Sequence, residues 1–282
     1  MIRSFILIGF TYLLFQLHLS GDISKYINMK YSYLSAAAGY ALLVLTIAQF
    51  FIMAKKDKEK GHSCNQDCCC DHNHANEGKW YQKLFIYTLF AFPVISGLFL
   101  PIATLDSNIV KTKGFHFPIY DAGKGDIQQQ FLRPDTSIYY DKNVYADLMN
   151  KEKKQYVSQQ TIVLNDVKFL QGMETIYNFP GEFLGKEVEF KGFAFNNPET
   201  INKNQLFIFR FGIIHCIADS GVYGMLVELP DGVKLKNDQW VTVIGKVSSI
   251  YYQPFKSNIP YLKVDKWEVT SAPKDPYVYR GS

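Results

Sequence analysis

The apolar positions divide the chain into two parts with different periodicities. Long uncharged runs fill most of the first 105 residues, and short segments with alternating apolar and polar residues follow. The long runs are Phe5 to Leu19, Tyr33 to Met53 and Leu84 to Leu105. An α-helix needs about 20 mainly apolar residues to cross a bilayer, and alternation is typical of half-buried strands. The pattern therefore predicts three transmembrane helices within residues 1–105 and a mainly β soluble domain after them.

The first run is short for a transmembrane helix, and two interpretations of it are open. Arg3 ahead of an apolar run also fits a cleaved signal peptide. The segment from Leu17 to Gly21 lacks the small-residue cleavage site of such peptides, which favours a retained helix. Cleavage would leave the orientation of the later segments unchanged.

The other two runs carry features that membrane helices use. The small residues from Ala36 to Gly39 would let another helix approach closely, although a lipid-facing role fits them equally well. Pro93 and Pro101 interrupt the third run, and membrane helices tolerate proline where neighbours satisfy the freed carbonyls.

Lysines in the loops set the orientation. The loop between the second and third runs, residues 54–82, is rich in lysine, and one more lysine stands at the foot of the third run. These residues are Lys55, Lys56, Lys58, Lys60, Lys79 and Lys83. The loop between the first two runs has only Lys25 and Lys30. Because loops rich in lysine stay cytoplasmic, we expect a multi-pass protein of the cell membrane with residues 106–282 outside it.

The same cytoplasmic loop carries candidate metal ligands. Residues 62–74 read HSCNQDCCCDHNH, and the candidate ligands are His62, Cys64, Cys68, Cys69, Cys70, His72 and His74. Thiolates and imidazoles bind zinc and other thiophilic transition metals, and a reducing cytoplasm keeps thiols available. Three adjacent cysteines cannot all turn towards one tetrahedral centre, so we expect a flexible sequestering loop rather than a rigid zinc site. A solvated linker without metal is the alternative.

The part after the third run is predicted to begin with a connector and short helices at residues 106–165. Asn143 to Gln155 is compatible with a helix, and apolar residues at spacing three predict an amphipathic helix over Asn165 to Asn178. Six strand-like segments follow, at Glu187–Phe195, Leu206–Phe211, Ile213–Ala218, Gly224–Leu229, Gln239–Val247 and Tyr261–Val269. Short strands with internal glycines predict an OB-like small barrel over residues 166–282, with one or two flanking helices.

Several segments of the chain together resemble the YcgQ-like family of membrane permease subunits. They are RFGIIHCIAD at Arg210–Asp219, PIATL at Pro101–Leu105, GKEV at Gly185–Val188 and PKDPYVY at Pro273–Tyr279. The resemblance covers nearly the whole chain and rests on the order and spacing of these segments. It implies a partner rather than a reaction, because family members are thought to act beside a separate polytopic permease in a two-component complex. His215 stands where many members have the first of two cysteines, which puts a disulfide or dithiolate at this pair in question.

The same segment holds a possible ligand site outside the membrane. Arg210, His215, Cys216 and Asp219 are polar or ligand-type residues in an otherwise apolar stretch. In one interpretation His215, Cys216 and Asp219 bind a metal or other ligand, and Arg210 orients the carboxylate. In the other, Cys216 is a small core residue and Arg210 pairs with Asp219 as a structural brace.

The sequence favours a non-catalytic function. It has no Gly-rich phosphate loop, no G-x-S-x-G and no H-E-x-x-H motif. A net charge of +4 and the predicted location outside the cell argue against a nucleic-acid partner. We therefore expect an auxiliary permease subunit in the lipid bilayer whose outer domain gates a pore or captures solute. The alternative is a metal-sensing or metal-handling membrane protein that acts through the Cys/His loop.

Overall fold

The computed structural model describes residues 2–59, 80–100, 107, 110, 136–137, 141–197, 204–253 and 257–280. The chain forms two compact units, Met1–Ala103 and Thr104–Ser282.

The N-terminal unit consists of helices α1 (Ile2–Ser20), α2 (Ser32–Glu59) and α3 (Trp80–Phe99). Two stretches are long and apolar enough to cross a membrane, Met29–Lys55 and Trp80–Phe99, whereas the apolar stretch of α1, Ser4–Ser20, is shorter. Helix α3 continues through Pro93. Among the described α-helices, two therefore contain a stretch that is long and apolar enough for a transmembrane span.

Helix α1 packs against both of the other helices. A side chain at Gly9 would come within 2.7 Å of Val94 on α3, so the two helices approach closely there. A Cβ at Gly39 on α2 would lie 3.8 Å from Leu14 Cβ on α1. The small residue at the end of the Ala36–Gly39 run therefore packs within this chain.

Polar side chains pair across the interface between α1 and α2 at three levels. Their hydrogen bonds are Ser4 Oγ to Met53 Sδ at 3.1 Å, Thr11 Oγ1 with Thr46 Oγ1 at 3.4 Å, and His18 Nε2 with Ser35 Oγ at 2.8 Å. Such pairs fix the register of two apolar helices, because polar groups in an apolar environment need partners.

The described residues of the C-terminal unit contain three α-helices and seven strands. The helices are α4 (Lys142–Val157), α5 (Phe169–Asn178) and α6 (Pro180–Phe183). The strands are β1 (Thr161–Leu164), β2 (Glu187–Phe195), β3 (Gln205–Ile213), β4 (Gly221–Glu228), β5 (Trp240–Tyr252), β6 (Ser257–Val269) and β7 (Tyr277–Tyr279). Both predicted helices form, whereas β1 and β7 were not predicted.

Five of the strands pair in a closed ring. Antiparallel pairs join β2 to β3, β3 to β4, β5 to β6 and β2 to β5, and a parallel pair between β4 and β6 closes the ring. Strand β1 adds in parallel to the first half of β2, and β7 adds in parallel to the end of β3. Two glycines allow the tight approach of strands around β3. A Cβ at Gly192 would lie 2.6 Å from the Phe209 carbonyl, and one at Gly224 would lie 2.0 Å from the Ile208 carbonyl.

Strand β3 is buried on both faces and separates two apolar clusters. Its even-numbered residues Leu206 and Ile208 belong to the main core, together with residues of β2, β4, β5, β6 and α5. Its odd-numbered residues from Phe207 to Ile213 belong to a second cluster, which we call the aromatic cluster. The buried members of the aromatic cluster are Val110, Phe193, Phe195, Phe207, Phe209, Phe211, Ile213, Leu226, Tyr252, Ile259 and Tyr277.

Candidate functional site

The predicted metal ligands of the Cys/His loop lie outside the described residues. His62, Cys64, Cys68, Cys69, Cys70, His72 and His74 all fall in residues 60–79. In the parts of the chain that the structure describes, no three His, Cys, Asp or Glu side chains are grouped so that they could hold a metal ion. Metal binding by the loop therefore stays a prediction.

Arg210 is buried and holds the C-terminal tail, which we define as residues 275–280. Only 1% of Arg210 is exposed, and its guanidinium forms an ion pair with Asp166. Its Nε donates to the Pro276 carbonyl at 3.4 Å, and Nη2 donates to the carbonyls of Asp275 and Tyr277 at 3.3 and 3.2 Å. These bonds satisfy a buried charge with backbone acceptors, so that Arg210 fastens the tail beside β3.

Aromatic rings complete the surroundings of this guanidinium. The carbon Cζ of Arg210 lies 5.8 Å from the centre of the Phe169 ring and 5.4 Å from that of Trp240, which are cation–π distances. The predicted brace between Arg210 and Asp219 is wrong, because the ion pair of Arg210 is with Asp166. The other predicted role, orientation of the Asp219 carboxylate, is likewise not what the guanidinium does here.

Asp219 instead organises the turn that follows β3. Its carboxylate accepts hydrogen bonds from the backbone N–H groups of Ile214 at 3.3 Å, His215 at 2.9 Å and Cys216 at 3.1 Å. The predicted strand over Ile213–Ala218 is therefore wrong, because these N–H groups bond to a side chain rather than to a neighbouring strand. A short 3-10 helix, Ile217–Asp219, occupies the end of that segment.

The structure brings together two of the four predicted site residues through their side chains. His215 Nδ1 is 2.8 Å from Asp219 Oδ2, and the histidine side chain is 45% exposed. A carboxylate bound to Nδ1 fixes the ring and its tautomer, as in many ligand and metal sites. Cys216 is a free, partly exposed thiol next to this pair, and so it is not the core residue considered above. His215, Cys216 and Asp219 thus form one surface turn, from which Arg210 is separate.

Sequence reasoning missed a second polar cluster, which lies between α4, α5 and the tail. Arg280 forms ion pairs with Glu152, at 3.2 Å, and with Glu174. All three residues are buried, with exposures of 4%, 6% and 0% for Arg280, Glu152 and Glu174. We call this group the buried triad. Glu174 falls on the apolar face of α5, four residues after Leu170, and a charge at such a position was the signal that could have revealed it.

Neighbouring groups satisfy the remaining oxygens of the triad. Glu174 Oε1 accepts from the backbone N–H of Thr136 at 2.7 Å, from its hydroxyl at 2.8 Å and from the Tyr145 hydroxyl at 2.8 Å. Burial raises the pKa of Glu152, while the Arg280 guanidinium lowers it in part. Burial and the nearby Glu152 charge raise the pKa of Tyr156 to about 12. The cluster is therefore a network of buried groups in which one cation serves two carboxylates.

The fold combines an N-terminal unit of apolar helices, typical of membrane proteins, with a C-terminal domain built on a closed ring of strands. Family models match both units: the DUF1980 N-terminal domain over residues 2–116 and the DUF1980 C-terminal domain over residues 139–280. The "UPF0703 protein YcgQ" of Bacillus subtilis (strain 168) is 51% identical over 285 residues, covering 100% of both chains. A "Putative two-component membrane permease complex subunit" of Streptococcus mutans serotype c is 38% identical over 286 residues, covering 99% of each. The chain therefore belongs to the YcgQ-like family of DUF1980 proteins, as the resemblance predicted.

Proposed function

We propose that this protein is a non-catalytic subunit of a two-component membrane permease and works beside a polytopic partner subunit. The observation that carries this proposal is the similarity, over 99% of both chains, to the Streptococcus mutans protein whose name describes a permease complex subunit. The apolar helices of the N-terminal unit support a membrane location. Three helices are too few to enclose a pore, so a polytopic partner would supply the path for the solute.

All three N-terminal helices cross the membrane in this proposal. Helix α1 has 19 residues, which corresponds to about 28 Å at about 1.5 Å per residue, close to the hydrocarbon thickness of about 30 Å. Its packing against both α2 and α3 supports a place within the bilayer. The lysines in the last turns of α2 and in the segment after it favour a cytoplasmic location for residues 54–82, so the C-terminal unit would be extracytoplasmic.

The C-terminal unit is, in this proposal, an OB-type barrel that captures solute or gates the partner. The support is the order of the ring, in which β2, β3 and β4 pair successively, β5 pairs with β2, and β6 lies between β4 and β5. Five-stranded Greek-key barrels of this kind commonly bind ligands through their second and third strands and the loops beside them, and in this chain both faces of the second strand, β3, are already buried. The turn at His215, Cys216 and Asp219 joins β3 and β4 and is our candidate contact point for a ligand.

Co-purification tests the subunit role. The tagged full chain is co-expressed with a candidate polytopic permease, extracted in a mild detergent and purified, beside a tagged membrane protein of similar size and unrelated sequence. We expect the permease in a fixed ratio to this chain and absent from the unrelated control. A chain that is well folded and always emerges alone would contradict the proposal.

A metal-handling role is the second candidate, and it rests on the residues of the Cys/His loop. Nine of the thirteen residues at 62–74 are Cys, His or Asp, a density that seldom arises in an ordinary linker. Zinc or another thiophilic transition metal is the expected ligand. Bound metal is measured on purified full-length protein, comparing wild type, a loop variant with Cys→Ser and His→Ala changes, and Cys216→Ser. Loss of metal in the loop variant alone supports this role, and equal metal in all three removes its support.

A further inference from the structure

One side of helix α1 is left uncovered by the other helices of the N-terminal unit. Exposed residues recur along it at spacings of three and four, and we call this stripe the open face of α1. Its members are Phe5, Ile8, Tyr12, Gln16 and Leu19. Residues three or four positions apart lie on the same side of an α-helix, so these five form one continuous surface.

The contacts of α1 with its neighbours lie at other positions. Ser4, Thr11 and His18, each seven residues after the last, bond to α2. Gly9 and Leu13 lie against Val94 and Gly97 of α3. With about 3.6 residues per turn, the contacts with α2 and α3 fall on roughly opposite sides of α1, and the open face lies between them. Another helix could therefore pack there without displacing α2 or α3.

Two members of the open face are polar. Tyr12 is 59% exposed, Gln16 is also exposed, and in the part of the chain that the structure describes neither side chain forms a hydrogen bond. By contrast, Ser4, Thr11 and His18 on the side towards α2 all have hydrogen-bond partners. A glutamine amide offers two donors and one carbonyl acceptor, and a tyrosine hydroxyl both donates and accepts. The open face therefore presents polar groups that need partners.

The depth of these groups in the membrane follows from the packing of α1 on α2. The ring of Phe15, which precedes Gln16, lies edge-on to Tyr40 with the ring centres 5.4 Å apart. Tyr40 lies seven residues, or about 10 Å, inside the apolar run that begins at Tyr33. Tyr12 is one turn further in, by about 6 Å. In a hydrocarbon core of about 30 Å, both side chains lie among lipid tails, which offer no hydrogen-bond partner.

We propose that the open face of α1 is the docking surface for a transmembrane helix of the polytopic permease partner, and that polar side chains of this helix bond to Tyr12 and Gln16. The inference rests on the proposed function, which supplies the partner. The occupant spans the membrane because the face lies at membrane depth. It carries side chains such as serine, threonine or asparagine, because such groups hydrogen-bond between helices in membranes. Donors and acceptors one turn apart on that helix match the spacing of Tyr12 and Gln16.

Two substitutions on the open face test the docking surface. Tyr12→Phe removes one hydroxyl, and Gln16→Leu replaces the amide by an apolar group of similar size. Both make α1 more apolar and leave the residues that bond to α2 unchanged, so the helix should still insert. Each hydrogen bond lost between membrane helices should weaken binding by about threefold to thirtyfold. We therefore expect the double variant to bind the candidate permease about tenfold or more weakly than wild type, in a titration of the purified full chain in nanodiscs.

A matched control changes an exposed polar residue of another helix. Thr88→Val removes a hydroxyl from an exposed position of α3. A threonine hydroxyl can bond to a carbonyl of its own helix, so it requires no partner. This variant should bind the permease as wild type does.

Photochemical cross-linking identifies the occupant directly. A photoreactive phenylalanine analogue replaces Phe5, which is 70% exposed on the open face, or Phe15, whose ring contacts Tyr40 within the chain. Both positions carry phenylalanine already, so the change is small. We expect the analogue at position 5 to cross-link to the permease and the analogue at position 15 to react within this chain.

The outcomes separate the docking surface from the subunit role. Permease that binds wild type and the double variant equally, or is lost equally with Thr88→Val, would overturn the docking surface and retain the subunit role. Cross-links from position 5 to a second copy of this chain would also overturn it, in favour of self-association. Wild type that binds no permease would overturn both.

Discussion

The buried triad makes the C-terminal tail sensitive to one substitution, Arg280→Met. The guanidinium of Arg280 is the cation shared by Glu152 and Glu174, and methionine would replace the apolar stem of this side chain and remove its charge. The two carboxylates would then lie side by side in the interior with no positive partner. Their hydrogen bonds from Thr136 and Tyr145 would remain, but these donors are neutral.

The expected cost follows from this burial. Removing one partner of a buried ion pair costs about 3–5 kcal/mol, because the remaining charge is left uncompensated. That is a large fraction of the roughly 5–15 kcal/mol that stabilises a domain. We therefore expect Arg280→Met to detach the tail and loosen α4 before the rest of the unit unfolds. Hydrogen exchange of peptides from β7 and α4 should accelerate by about two to three and a half orders of magnitude.

The destabilisation caused by Arg280→Met should decrease as the pH falls. Burial raises the pKa of Glu152 above its ordinary value of 4.5, and the Arg280 guanidinium opposes this rise. Without the guanidinium the pKa should rise further, so the folded variant binds a proton more tightly than the unfolded chain does. Stability from the protonated carboxyl is fully present below about 4.5 and is lost as the pH rises through the raised pKa. Exchange of the variant should therefore approach that of wild type on moving from neutral pH towards pH 4.5.

Two further variants test whether the effect of Arg280→Met comes from the buried carboxylates. Lys153→Met removes a cation from α4, the helix that carries Glu152, but Lys153 and its partner Glu182 are on the surface, with side-chain exposures of 30% and 47%, so exchange should stay near that of wild type. Arg280→Met combined with Glu174→Gln removes one of the stranded charges and should recover part of the loss. If Arg280→Met accelerates exchange no more than Lys153→Met does, the buried triad does not hold the tail.

Three further predictions concern the C-terminal unit, each measured by hydrogen exchange on the full chain in nanodiscs. In Arg210→Lys the lysine cannot form the paired hydrogen bonds of the guanidinium to the tail carbonyls, so the exchange rate of β7 amides should rise about tenfold or more. An unchanged exchange rate would rule out the role of Arg210 in holding the tail. Gly224→Ala places a methyl group 2.0 Å from the Ile208 carbonyl and should destabilise the barrel by about 1–3 kcal/mol, whereas Gly181→Ala, with nothing within 4 Å, should be tolerated. Glu152→Gln should remove the part of the pH dependence above 4.5 that the raised pKa of this residue causes, and an unchanged pH profile would contradict that origin.

Elements with a strong period could be predicted from the sequence. The helix Phe169–Asn178 and the strands β2, β5 and β6 follow the apolar patterns that indicated them, and the helix Lys142–Val157 forms where the sequence is polar and compatible with a helix. Strand β1, with four residues, and β7, with three, are too short to show any period. Their pairing depends on β2 and β3, which supply the hydrogen-bond partners across the sheet.

Specific side-chain contacts, and not the alternation of apolar and polar residues, determine the extent of β3. Two separate strands, Leu206–Phe211 and Ile213–Ala218, were predicted on either side of Gly212, but the strand continues through this glycine, which lies against the Tyr223 ring, where a Cβ would be 2.6 Å from the ring carbon Cδ2. The strand ends at Ile213 because the Asp219 carboxylate takes up the next three backbone N–H groups. Neither contact has a signature in alternation alone. A side chain that competes for backbone hydrogen bonds ends a strand wherever its reach permits.

The candidate site was predicted from residues close together in sequence, but contacts with residues far away in the sequence determine the role of Arg210. Arg210 and Asp219 are near neighbours along the chain, yet Arg210 binds Asp166 and the tail backbone. The tail returns a second arginine, Arg280, to the helices α4 and α5. One arginine thus fixes the tail backbone to the barrel, and the other fixes the tail to the helices. The tail segment is too short to show an apolar period of its own, and its place in the fold is set by these contacts with both partners.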